Sequence, residues 1–296
     1  MHSIFYHIVP VVIILIIIEA AFMIKEHRPD KKDTLSSIIL ALGHLPVAAI
    51  TKGSVILLYS FIYQYRLFTL PINYWWVWAI CFFADDLSYY WYHRSSHQVR
   101  FFWASHKVHH SSEKFTLSTG LRIPWTSDFT GNFIFWMWLP LIGIEPYMIL
   151  FMKSVGALYQ FWLHTEKIRK LPKWFEAIFN TPSHHRVHHS SDVEYLDKNH
   201  AGTLIIWDKL FGTFLPETFK AKYGLTEDIK SFNPVVIAFH EWKNIFRDLK
   251  KSKKIKDRFC YFFKAPGWSH DGKGKTTKQL QLELKVCNKA MPCLIH

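Results

Sequence analysis

Residues 86–110 read DLSYYWYHRSSHQVRFFWASHKVHH. The stretch leaves an apolar, aromatic run and closes in histidines at helical spacing. His93 and His97 are four residues apart, and His106, His109 and His110 follow as H-x-x-H-H. Spacings of three and four put side chains on one helix face, with Cβ atoms about 5–6 Å apart. A second H-x-x-H-H stands at His185, His188 and His189, preceded by His184, in NTPSHHRVHH. Imidazoles so placed can share a metal ion. Asp86, Tyr90, His93 and His97 recur on one face of the same helix, which positions Asp86 to fix the tautomer of a ligand imidazole.

Of 18 histidines, 11 fall between His93 and His200. The isolated ones, His2, His7, His27, His44, His240, His270 and His296, read as interfacial or core residues. The clustered set does not. Packing gives no reason for so many imidazoles, and a solvated surface would use Lys or Glu. A zinc site takes three or four protein ligands, so eight to ten candidates exceed one site and suit two ions. Imidazole serves Zn, Cu, Fe and Ni alike. The residues alone therefore establish two nitrogen-ligated transition metals and no element.

The rest of the chain is apolar around these clusters. Of 296 residues, 50% are hydrophobic, 17% aromatic and 20% charged, with mean hydropathy +0.03. That excludes a disordered chain and argues against a simple soluble domain. Residues 4–24 are long enough to cross a bilayer, and the basic KEHRPDKK at 25–32 places the following side in the cytoplasm. Residues 35–70 read as one long crossing outward. Residues 75–92 return, and 129–144 with 146–163 form a further pair, crossing or re-entrant, broken at Gly143 and Pro146. This parity leaves every histidine cluster on one membrane face. The expected fold is all-α: an integral membrane, multi-pass bundle of about four to five spans or re-entrant hairpins, with a histidine-rich helical cap on the cytoplasmic face. Residues 1–215 form the membrane-embedded catalytic domain. Residues 216–296 form a basic cytoplasmic C-terminal region, partly disordered, with no usable periodicity from 274 onward.

The net charge of +13 is uneven, with twelve Lys/Arg against three Asp between 243 and 278. This is a solvated tail or a segment drawn to anionic lipid headgroups. No nucleic-acid motif accompanies it. The cysteines, Cys81, Cys260, Cys287 and Cys293, form no C-x-x-C, so they are neither a disulfide framework nor a cysteine zinc site.

H-x3-H, H-x2-H-H and a later H-x2-H-H between hydrophobic hairpins resemble the fatty acid hydroxylase/sterol desaturase superfamily of membrane di-iron oxygenases. The resemblance runs from about Asp86 to Leu215. Within the superfamily, HHSSEKFTLSTGLR (109–122), FWLHTE (161–166), DKNHAGTLIIWDKLFGTF (197–214) and KAPGW (264–268) most resemble the alkylglycerol monooxygenase-like branch. It implies His93, His97, His106, His109, His110, His164, His185, His188 and His189 as iron ligands. His184 and His200 follow as less certain ligands or supporting residues, with Asp86, Glu113, Glu166, Asn199 and Asp208. The di-iron cluster itself would be the catalyst, with no separate catalytic side chain. Two departures stand out: Gln98 where the ether-lipid enzymes carry Glu, and His200 where they carry Tyr.

The implied activity is O2-dependent hydroxylation or desaturation of a lipid C–H bond in an acyl, alkylglycerol ether or sterol-type substrate. The implied cofactors are two iron ions, with O2 as co-substrate and tetrahydrobiopterin as a candidate reductant. No Rossmann or P-loop pattern and no fused cytochrome b5-like domain is present, so electrons are expected from a small reductant or a separate donor protein. Two other readings compete. A zinc-dependent membrane hydrolase needs a general base such as Glu113 or Glu166. A metal transporter or sensor needs ionisable groups at mid-membrane, whereas these histidines lie at span ends.

Overall fold

The computed structural model describes residues 31–290, and no side chain beyond 287. The 4–24 run lies outside the described residues. The described chain is helical, with two isolated bridges, Phe179 to Leu204 and Ser190 to Tyr223, and no strand.

Helix α1, Lys31–Tyr63, is a single element of 33 residues. At 1.5 Å rise per residue it is about 50 Å long. One helix, not a hairpin, therefore occupies most of the 35–70 run. Its outer residues are apolar and exposed, among them Leu42 at 59% and Leu57 at 72%. Among the described residues it is the one helix long and apolar enough to cross a membrane. By that test the expected four to five spans are not all present as long apolar helices. The 129–144 stretch in particular is cut short. Gly131 and Gly143 take left-handed φ of +83° and +105°, and between them lie a 3-10 turn, Asn132–Trp136, and a short helix α4, Trp138–Ile142. At Gly143 a Cβ would stand 2.1 Å from the Phe68 carbonyl oxygen, so only glycine fits that corner.

Helix α2, Trp75–Gln98, carries the apolar run straight into the first histidine pair. It stops at Val99, which is extended, and α3, Arg100–His110, starts at once. Pro146 opens α5, Pro146–Phe161, where Glu145 caps the free Tyr147 and Met148 amides. Val77, Cys81 and Ala84 of α2 pack with Trp136, Leu139, Ile149 and Met152 in the main core. Three short helices follow, α6, Lys173–Ile178, α7, Pro182–His188, and α8, Ile206–Leu210; His188 of α7 packs on His93 and Trp207 of α8 bonds Asp86, both of α2.

Three further helices follow: α9, Pro234–Lys251, α10, Ile255–Phe263, and α11, Thr277–Ala290. Within the 216–296 region expected to be partly disordered, residues 277–290 form helix α11. Nor is α9 a loose tail. Its buried Glu241 takes Arg100 Nε and Lys107 Nζ of α3, both at 2.8 Å, while Arg100 also reaches Asp248 at 2.8 Å. Burial pushes the Glu241 carboxyl up, but Lys107 and Arg100 overcome it and hold the group below its ordinary range. A carboxyl held down adds stability above the ordinary carboxylate range and loses it as pH falls through the folded pKa. Removing one partner of a buried ion pair costs about 3–5 kcal/mol. Glu241→Gln is therefore expected to lower the thermal midpoint in detergent far more than Lys243→Gln on the exposed face. Equal midpoints would show that the clamp carries no stability.

Candidate metal centre

Nine histidines converge at the junction of α2, α3, α5 and α7. The ligand atoms of His93, His97, His106, His110 and His188 lie within 4.8 Å of one another, and so do those of His109, His164, His185 and His189. The helical register explains this partition. On α3 the i, i+4 pair His106 and His110 serves the first group, and His109 turns to the second. On α7 the roles swap: the pair His185 and His189 serves the second group, and His188 turns to the first. Each H-x-x-H-H box thus feeds both groups. The end of α2 completes the first with His93 and His97, and His164, just past α5, completes the second.

The nitrogens face one another. Nε2 of His93 and His106 are 2.9 Å apart, and those of His106 and His110 are 3.1 Å apart. In the second group, Nε2 of His164 lies 3.2 Å from that of His109 and 3.0 Å from that of His185. Nε2 of His97, His188 and His189 is buried with no partner at all. Several outer nitrogens are meanwhile committed: His93 Nδ1 donates to the His200 carbonyl at 2.7 Å, His188 Nδ1 to Lys198 at 3.0 Å and His164 Nδ1 to Gln160 at 3.0 Å. That fixes the tautomer and turns the Nε2 lone pairs inward. A cation in each group would satisfy the inward nitrogens together, including the unpartnered Nε2 of His97, His188 and His189. Ligands ~2.1 Å from an ion at right angles would be about 3.0 Å apart, which is the observed spacing. The donor set fits two metal ions.

Burial drives His93, His106, His109, His110, His185, His188 and His189 well below their ordinary range, and His164 to about 4. These rings are neutral at pH 7, the form that ligates a metal.

The less certain residues sort differently. His184 belongs to neither group and packs its ring 5.4 Å from that of Phe214. His200 also lies outside both, although its ring is 5.0 Å from His97, and its Nε2 donates to the Asp197 carbonyl at 3.1 Å. Asp86 does not touch an imidazole, which corrects the expectation for it. It accepts the Thr203 and Leu204 amides at 2.8 and 2.9 Å and the Trp207 indole at 3.0 Å. Helix periodicity gave its face correctly, but not that the 201–207 segment would cover that face. Asp208 likewise accepts the His200 and Ala201 amides at 2.8 and 2.7 Å, and Asn199 bonds the His184 and Leu215 carbonyls. These three hold the loop whose carbonyls orient His93 and His188. Glu113 and Glu166 are exposed and outside both groups. Sequence reasoning missed Asp197, whose carboxylate faces His97 Nδ1 at 3.4 Å.

A cavity of about 690 Å³ opens onto the histidines. His106, His109 and His164 line one end, and Tyr92, Trp136, Phe151 and Phe161 form walls. Two ionisable groups also line it: Lys153 Nζ sits 3.0 Å over the Trp136 ring, and Asp85 accepts the Trp136 indole at 2.7 Å. Neither was singled out from the sequence.

Residues 78–213 match the fatty acid hydroxylase family model. Over that segment the chain is similar to the fatty acid hydroxylase family. It is 39% identical to alkylglycerol monooxygenase of Homo sapiens over 289 residues, covering 96% of this chain and 63% of that protein. Against alkylglycerol monooxygenase of Danio rerio it is 41% identical over 206 residues, 70% of this chain and 46% of the relative. Ornithine lipid hydroxylase OlsE of Rhizobium tropici is 30% identical over 131 residues, 44% of this chain and 39% of that protein. The chain thus spans less than two thirds of the length of these relatives. No solved structure matches it.

The partition predicts how metal is lost. Elemental analysis of the purified chain is expected to give two ions per chain, one for each histidine group. His97→Ala should deplete the first group and His185→Ala the second, each leaving about one ion, whereas His184→Ala should leave the content unchanged. Equal loss in all three variants would refute the partition.

Proposed function

We propose that this protein is a membrane-bound, non-haem di-iron monooxygenase that oxidises a C–H bond of a lipid, with an alkylglycerol ether as the first substrate to test. The observation that carries this is the joining of two histidine groups, through shared helices α3 and α7, to the end of an apolar cavity. The similarity to the fatty acid hydroxylase family and the alkylglycerol monooxygenase relatives support it.

His93, His97, His106, His110 and His188 hold one iron, and His109, His164, His185 and His189 the other. Bound iron supplies the O2 chemistry that converts a C–H bond to C–OH, with a second oxygen atom leaving as water. The protein's part is to keep the rings neutral, aim their Nε2 atoms and exclude water. The aromatic walls take an extended alkyl chain. His109, the least buried of the nine, is open to that chain. Oxidation at the carbon beside an ether oxygen gives a hemiacetal, which breaks down to aldehyde and glycerol without a dedicated side chain. Electrons come from a small reductant such as tetrahydrobiopterin or from a separate donor protein. α1 anchors the chain in the bilayer, and the histidine groups and C-terminal helices lie on the cytoplasmic side. Residues 1–215 form the catalytic unit, with 216–296 as its basic flank.

A hydrolase would need a general base beside the metals, and exposed Glu113 and Glu166 do not provide one.

The test is O2 uptake by iron-loaded protein with an alkylglycerol, a reductant and detergent. The expected result is substrate-dependent uptake with release of aldehyde, abolished to background in His109→Ala and His164→Ala. Lipid turnover that persists without O2 would overturn the reading.

A further inference from the structure

Neither the metal centre nor the cavity uses the outer surface of α9 and α10. With a turn of 100° per residue, α9 divides into three sectors. Ile237, Ala238, Glu241 and Ile245 are buried. Val235, Phe239 and Phe246 make an adjoining apolar stripe with Trp242, and are 54%, 45% and 57% exposed. Lys243, Arg247, Lys250 and Lys251 form the third sector, all exposed. A groove of about 740 Å³ runs along the seam between the aromatic and basic sectors. α10 repeats the arrangement. Ile255, Phe259 and Phe263 recur every four residues and are 83%, 63% and 51% exposed, with Lys256 and Arg258 between them. Between 243 and 258 stand eight Lys/Arg against two Asp.

The position of α9 says what covers this surface. Ser36 Oγ near the start of α1 donates to the Phe232 carbonyl just before α9, and Leu40 packs with Ile237 and Ala238. α9 therefore begins where the long apolar helix begins, beside exposed Lys31 and Lys32. If α1 crosses a bilayer, that level is the headgroup layer. We propose that α9 and α10 lie in this layer and bind anionic phospholipid, with the phenylalanine rings at the acyl boundary and the Lys/Arg side chains on the phosphates. The proposal rests on the membrane reading of α1. An aromatic stripe bordered by a basic one, repeated on two consecutive helices, suits an anionic lipid surface, which satisfies both sectors at once. A compact acidic protein patch would leave one of the two stripes uncovered.

The test uses the full chain reconstituted in phosphatidylcholine vesicles with and without phosphatidylserine, followed by amide hydrogen exchange over 234–263. Phosphatidylserine is expected to slow exchange there about tenfold, since each basic residue near the surface contributes, and high salt is expected to reverse the effect. Combined K243Q, R247Q, K250Q and K251Q should remove the lipid dependence, and F239S with F246S should reduce protection in both vesicles. Equal exchange in the two compositions overturns the proposal. Protection that appears only on adding an acidic soluble protein overturns it in favour of a protein partner. Metal content and carbonate resistance are measured on the same samples. Normal metal with no lipid effect sinks this proposal alone, whereas release by carbonate sinks the membrane reading beneath it.

Discussion

Lone pairs of buried imidazoles aimed at one another are the constraint on which this structure depends. Nε2 atoms stand about 3 Å apart, the Nδ1 atoms of His93 and His164 are committed to carbonyls, and Nε2 of His97, His188 and His189 has no partner. Burying unpaired polar atoms is costly, and seven of the nine rings have a pKa driven well down. A cation in each group would satisfy these nitrogens together, and its affinity would then be part of the folding free energy. The helices that carry the histidines are correspondingly short or end at the site, so their relative placement depends on what joins them.

What joins them besides metal is the loop from 197 to 208. Asp197 and Asn199 adopt positive φ of 57° and 54°, which Asp and Asn tolerate better than most residues. That turn directs the Lys198 and His200 carbonyls to His188 and His93. Asp208 secures one side of the loop and Asp86 the other. Gly202 lets the loop lie against α2, because a Cβ there would stand 2.8 Å from the Tyr89 ring. His93 and His188 are therefore oriented by backbone carbonyls, His97 faces the Asp197 carboxylate, and Asp86 and Asp208 act one step further out, on the backbone.

This division explains what could be read in advance. Spacing within a helix is a local property, so the three histidine boxes were legible, and with them the two-metal reading. The i, i+4 pairs even contain the swap between groups, since His109 and His188 point away from their box mates. Asp86 was not legible, because its partners lie 117 to 121 residues along the chain and no local pattern announces them. Asp85 and Lys153 stayed hidden likewise, as their meaning depends on a shared Trp136. The break in 129–144 was visible at Gly143 but not at Gly131, so the stretch could be read as crossing or re-entrant but not as a 3-10 turn and a short helix. α11 escaped because its polar composition masks the period.

α3 is where these layers meet. One face supplies ligands to both metal groups. The other holds Arg100 and Lys107, which Glu241 ties to α9. An α-helix of 11 residues is too short to bend appreciably between those faces, so displacement of α9 must be passed to His106 and His109 or break the clamp. The apolar cavity ends at the same two histidines. The basic flank is thus tied by ion pairs to the helix that carries three of the nine histidines, and no described residue of it belongs to either group.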